Sequence, residues 1–216
     1  LRRPKTDIVV TLSIHPLFYL VSLFGILILI PNWVYFVAIA YILFITVPNV
    51  FTTNKAQNDI TFSILLPVRK QDVVKARIFS IVWLEAVQLV VAAIFGYLNH
   101  IIYAKNNFLM DPNAAFIGFG LVMYGVFNLV FFPMHYKTAY KIGIPTIIAT
   151  FAAVVFATGV ELFVYFVPFA NLAFDASDPA MVIWKAGAFI VGLIIFLVMT
   201  TSAYRISARR FERIDL

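Results

Sequence analysis

Two carboxylic acids, Glu85 and Glu161, stand inside long apolar runs where a charge has little water to solvate it. An acid in such a place costs a few kcal/mol, and by default it marks contact with an ion, a proton or a polar solute. From Glu85, the residues Gln88, Ala92, Gly96 and Asn99 follow at three- and four-residue spacing, which sets all five on one helix face. Such a face suits an internal seam, where small and polar groups let helices approach closely. The competing reading is a face in contact with a transported solute. Glu161 lies about eight residues before the end of its run, about 12 Å deep at the helical rise. Thr158 and Tyr165 stand at i−3 and i+4 from it. It is either a packing partner of these side chains or of a neighbouring span, or a residue lining a pathway.

Other chemistry is sparse. His15, His100 and His135 fall near the ends of different runs, without a carboxylate at i+3 or i+4. Metal ligands come in clusters, so structural or interfacial roles are expected and a metal site is not. The sequence holds no GxxxxGK[ST] phosphate loop, HExxH, GxSxG or GxGxxG motif. No catalytic residue or bound cofactor is therefore expected in this chain, and an intramembrane enzyme lacks a nucleophile, dyad or ligand set. Cysteine is absent, which excludes disulfides and thiolate sites.

The elements that must position these acids follow from composition. The 216 residues are 63% hydrophobic and 12% charged, with a mean hydropathy of +0.97. A soluble domain carries about twice that share of charge, so most of the exterior must face lipid. A spanning helix needs about 20 apolar residues. The reading is an all-α integral membrane protein, one transmembrane domain over 1–216, with six spans at about 16–30, 33–51, 78–103, 114–132, 144–169 and 181–204. Ahead of His15-Pro16, residues 1–14 read as an interfacial elbow helix. Arg2, Arg3 and Lys5 resemble the start of a signal peptide, but the run to Pro31 shows no small-residue cleavage site, so no cleavable signal is expected. Gly118, Gly125 and Asn128, and Gly187 with Ala188, are expected to be packing contacts.

Charge sets the orientation. With six spans, 14 of the 16 Lys and Arg residues fall on one side, and only Lys105 and Lys185 on the other. Basic loops stay cytoplasmic, so both termini and the 52–77 loop are expected inside. The net charge of +6 is thereby explained without a nucleic-acid partner. The tail from Arg205 to Arg213 reads as an anchor to acidic membrane lipids, with contact to a protein partner as the alternative.

The 52–77 loop is the one long polar stretch. Asn54 to Leu66 can form a short helix with Lys55, Asn58 and Asp59 polar and Ile60, Ile64 and Leu65 apolar, ended by Pro67. Asn58-Asp59 followed by Leu66-Pro67-Val68-Arg69-Lys70-Gln71-Asp72-Val73-Val74-Lys75-Ala76-Arg77 resembles a signature of ABC-2 type permeases. The resemblance is to the small six-span bacterial group that includes the permeases of the phenol-soluble modulin exporter. The His15-Pro16 and Ile30-Pro31-Asn32 turns are similar to that group too. The resemblance implies a coupling helix between spans two and three that docks on a cytoplasmic ATP-binding cassette subunit, with Lys55, Asn58, Asp59 and Ile60 in that role. It also implies two copies of the ATPase, which bind ATP and Mg, a second permease that is identical or homologous, and a place in the bacterial plasma membrane. The re-entrant element of that family, between spans five and six, would here be only 169–180. The 23 Phe, 10 Tyr and 3 Trp suit an amphipathic peptide or a lipid-like solute better than an ion, although Phe facing lipid accounts for much of the count. With the resemblance, the expectation is export of amphipathic or hydrophobic peptides. The alternative is a secondary transporter or channel that uses Glu85 and Glu161.

Overall fold

The computed structural model describes residues 42–56, 69–102, 110–138, 141–176 and 179–213. The elbow, the first span and most of the second lie outside the described residues, as do Asn58, Asp59 and Ile60. All the described elements are helical. A π-helical turn, Ile42–Thr46, runs into α1, Val47–Ala56. Then come α2, Lys70–Ile102, α3, Ala114–His135, α4, Gly143–Phe166, and α5, Val182–Glu212. The last four are each long and apolar enough to cross a membrane.

Several helix ends differ from the apolar boundaries. The stretch expected as a loop over 52–77 is helical to Ala56 and again from Lys70. Likewise α5 continues eight residues beyond 204, to Glu212. Apolarity marks where lipid ends, and a helix need not stop there. Lys, Gln and Arg are good helix formers, and α2 opens with Asp72 in its first turn, where a negative charge favours the helix dipole. At 33 residues, α2 extends about 50 Å at the helical rise, well beyond the roughly 30 Å of hydrocarbon.

The fifth span closes earlier than expected, at Phe166 and not 169. Pro168 is the cause. A residue before proline is pushed out of the helical region, and Val167 is extended, at φ −97 and ψ 108. A short helical turn, Pro168–Ala170, and a π-helical turn, Asn171–Asp175, then lead towards α5.

At the centre stands α3, apolar all round, with Phe116, Tyr124, Phe127, Phe131 and Phe132 at most 1% exposed. A helix of that composition belongs inside a bundle. α4 and α5 pack chiefly on it, and α2 lies mainly against α5. Their outer faces stay apolar and exposed, including Phe79 and Trp83 on α2, Ile147 and Phe151 on α4, and Ile183 and Val198 on α5. Lipid is the solvent for such a face.

Close backbone approach between α3 and α5 occurs at Gly118 and Gly192. A methyl group on Gly118 would come 2.6 Å from the Ala188 carbonyl oxygen, and one on Gly192 would overlap the Gly118 backbone. Gly187, expected as a packing contact, faces open space. Gly125 faces Met199 and Phe196, and Gly96 on α2 abuts Pro112.

Candidate functional site

In the middle of the bundle, α2, α3 and α5 each turn a polar side chain inward. Glu85 and Asn128 are fully buried, and Gln88 and Thr200 nearly so. Asn128 donates its side-chain amide to Glu85 Oε2 at 3.0 Å, and the same nitrogen lies 3.4 Å from Thr200 Oγ1. Glu85, Gln88, Ala92 and Gly96 are all buried, so the face read from their spacing turns into the bundle. Glu85 Oε1 and Asn128 Oδ1 have no hydrogen-bond partner among the described residues. Chemically, the arrangement ties three helices together through one side-chain amide, that of Asn128. Asn128 was legible by the argument that found Glu85, as a polar residue inside an apolar run. Thr200 carried no comparable signal.

Glu161 belongs to a second group, where α4 ends and α3 begins. Its Oε2 accepts the Met110 N–H at 3.2 Å, a partner outside its own helix. Thr158 is exposed. Asp111, the residue after Met110, gives its N–H to Asp175 Oδ1 at 2.7 Å. Asn113 donates its side-chain amide to the Phe174 carbonyl at 2.6 Å. With its Oδ1, Asn113 also caps α3 by accepting from Ala115 N and Phe116 N. Three bonds therefore staple residues 110–113 to α4 and to the turn that follows it. Lys185, near the start of α5, donates to the Ala176 carbonyl at 2.7 Å and closes the same end.

The opposite end is basic. There α1, α3 and α5 finish and α2 and α4 begin, and Lys55, Arg69, Lys75, Lys137, Lys141, Arg205 and Arg209 are exposed. Long basic side chains at helix ends reach the headgroup region while their stems cover apolar surface. Beneath them lies an aromatic cluster of Phe51, Phe131, Phe132, His135, Tyr136 and Phe211. The His135 Nδ1 sits 3.2 Å from the Lys141 carbonyl, which ties the turn between α3 and α4. Arg210 Nη1 donates to the Pro133 carbonyl at 2.6 Å, and Gln71 Nε2 to Glu212 Oε1 at 2.6 Å. No cluster of three or more His, Cys, Asp or Glu residues that could hold a metal occurs among the described residues. Sequence reasoning treated His135 singly and did not find its ring partners, because they come from α1, α3 and the turn after α3.

Of the residues singled out from sequence, Lys55 lies in the last turn of α1, and Glu85 and Gln88 lie in the central seam. Glu161 lies at the far end from Lys55. A family model described as ABC-2 family transporter protein matches residues 5–212. No curated protein and no solved structure matches the chain.

Proposed function

Because the chain belongs to the ABC-2 family of transporter membrane proteins, multi-pass proteins of the plasma membrane that normally work with a cytoplasmic ATPase, we propose that it is the permease of an ATP-driven exporter of amphipathic or hydrophobic peptides in a bacterial plasma membrane. The observation that carries this reading is the extent of the family match, from residue 5 to residue 212 of 216. The four long apolar helices, the 14-to-2 division of basic residues and the convergence of helix ends at the basic side support it.

In this reading the basic end is cytoplasmic, six spans leave both termini inside, and the elbow lies on the inner surface. Lys55, Asn58, Asp59 and Ile60 meet the ATPase. Two ATPase copies supply ATP binding and hydrolysis with Mg, and closure of that dimer displaces the stretch between α1 and α2. A second permease, identical or homologous, completes the pathway. Glu85 serves the seam between helices, since all of its described surroundings belong to the interior of one chain.

The test is association and coupling. An ATP-binding cassette subunit is expected to copurify with the chain in mild detergent. Asp59→Lys and Lys55→Glu should each weaken that association or the substrate-stimulated hydrolysis while leaving the permease folded and inserted. Unchanged complex formation and turnover in both variants refutes the docking role. Accumulation of a labelled amphipathic peptide in inverted vesicles, dependent on ATP, is expected of the exporter, and its absence together with normal ATPase coupling removes the peptide assignment.

A further inference from the structure

The stretch 57–68 joins the bundle through the end of α1 and the start of α2. In the last turn of α1, Lys55 is exposed, and one turn earlier Phe51 is only 2% exposed. The Phe51 ring meets Phe131 edge-on at 5.2 Å, His135 edge-on at 4.6 Å and Phe132 tilted at 6.1 Å. All three belong to the end of α3, and His135 stacks on Phe131 at an interplanar angle of 4°. Phe51 therefore fills a socket made by the helix on which both α4 and α5 pack. The start of α2 lies beside the end of α5, where Gln71 bonds Glu212 in solvent, and its own first turns bury Val74 and Ile78.

The socket adjoins the one proline inside α3. Pro133 has no N–H for the carbonyl four residues earlier, so the ladder is interrupted there, and helices bend where the ladder is interrupted. Its own carbonyl accepts from Arg210 of α5. A movement of α1 against α3 would thus reach a weak point of α3 and, through Arg210, the end of α5.

We propose that Phe51 is a positioning residue of the transport cycle: seated among Phe131, Phe132 and His135, it passes displacement of the 57–68 stretch to the Pro133 end of α3. A close-packed ring cannot slide without opening a void or forcing its neighbours off their rotamers, so the α3 end follows α1. This inference rests on the permease reading given above.

The experiment uses the full chain with the ATPase that copurifies with it, reconstituted in vesicles, and a labelled amphipathic helical peptide as probe. Association, ATP hydrolysis and peptide moved per ATP hydrolysed are measured separately. In Phe51→Ala, association and basal hydrolysis should persist. Peptide moved per ATP should fall roughly 5- to 150-fold, the range that coupling between distant sites spans. His135→Ala should behave alike, while His135→Phe, which restores a ring to the socket, should recover coupling. Leu89→Ala, a cavity variant elsewhere in α2, should lower thermal stability and leave peptide moved per ATP near the wild-type value. If Phe51→Ala does not fold, Phe51→Leu, which leaves a smaller void, should show the same loss to a lesser degree. An unchanged ratio in a folded Phe51 variant, or an equal loss in Leu89→Ala, overturns the proposal. If no ATPase associates with the wild-type chain, it is the permease reading that falls.

Discussion

Gly187 and Gly192 stand five residues apart in α5 and should respond oppositely to the same substitution. Nothing lies within 4 Å of where a methyl group on Gly187 would sit. On Gly192 that group would fall 2.7 Å from the Gly118 carbonyl carbon and 2.9 Å from the Gly118 Cα, with the carbonyl oxygen closer still. These obstacles are backbone, which no rotamer change can clear. Restoring ordinary contact requires α3 and α5 to part by roughly 1 Å, and a gap of that size forfeits about a quarter to a half of each dispersion contact along the seam. Overpacking of this kind costs about 1–3 kcal/mol. Both alanine variants gain up to about 1 kcal/mol of helix propensity over glycine, so that contribution cancels between them. Gly187→Ala should therefore be neutral or mildly stabilising, and Gly192→Ala should lie about 1–3 kcal/mol below it. Reversible denaturation of the purified protein in mixed micelles reads the difference, with helicity and inserted yield as controls. Equal stability of the two variants would falsify the Gly118–Gly192 crossing.

Three further outcomes test other parts of the structure. For the seam, Glu85→Leu and Asn128→Leu singly should each lose stability, and the double variant should lose less than their sum. The coupling in that cycle is expected near 0.6 kcal/mol and at most about 1.7, as found for hydrogen bonds between membrane helices, and strict additivity would show the pair to be uncoupled. For Glu161, Gln keeps an acceptor for the Met110 N–H, so Glu161→Gln should stay near wild-type stability. Glu161→Leu, which leaves that N–H orphaned, should cost about 1–3 kcal/mol; equal melting temperatures for the two variants would contradict the staple. For orientation, the natural lack of cysteine allows single cysteines to be read cleanly. Residues 58 and 210 should resist an impermeant thiol reagent in intact cells and exposed Ala180→Cys should react, whereas labelling at 58 from outside would invert the topology.

Much of this protein is legible in one dimension. Membrane residence follows from the 12% of charged residues, and the division of basic residues between the two ends follows from counting them between apolar runs. The inward face of Glu85, Gln88, Ala92 and Gly96 was readable because helical periodicity is a local property of the chain. Helix ends were read less well for the same reason. Hydropathy reports where lipid stops, while the ends of α1, α2 and α5 depend on polar residues that continue a helix into water, and the end of α4 on Pro168.

What the tertiary structure alone decided is which distant groups meet. Glu85 pairs with Asn128 across 43 residues and Glu161 with Met110 across 51. Phe51 finds its socket on α3, and Gly192, not Gly187, takes the backbone of its neighbour. Each of these depends on the crossing angle and rotation of one helix against another. In lipid those are set by close packing between whole surfaces, because no hydrophobic difference between neighbouring helix and lipid tail distinguishes one apolar face from another. A local pattern can say that a face is small or polar, but only the assembled bundle determines what lies against it.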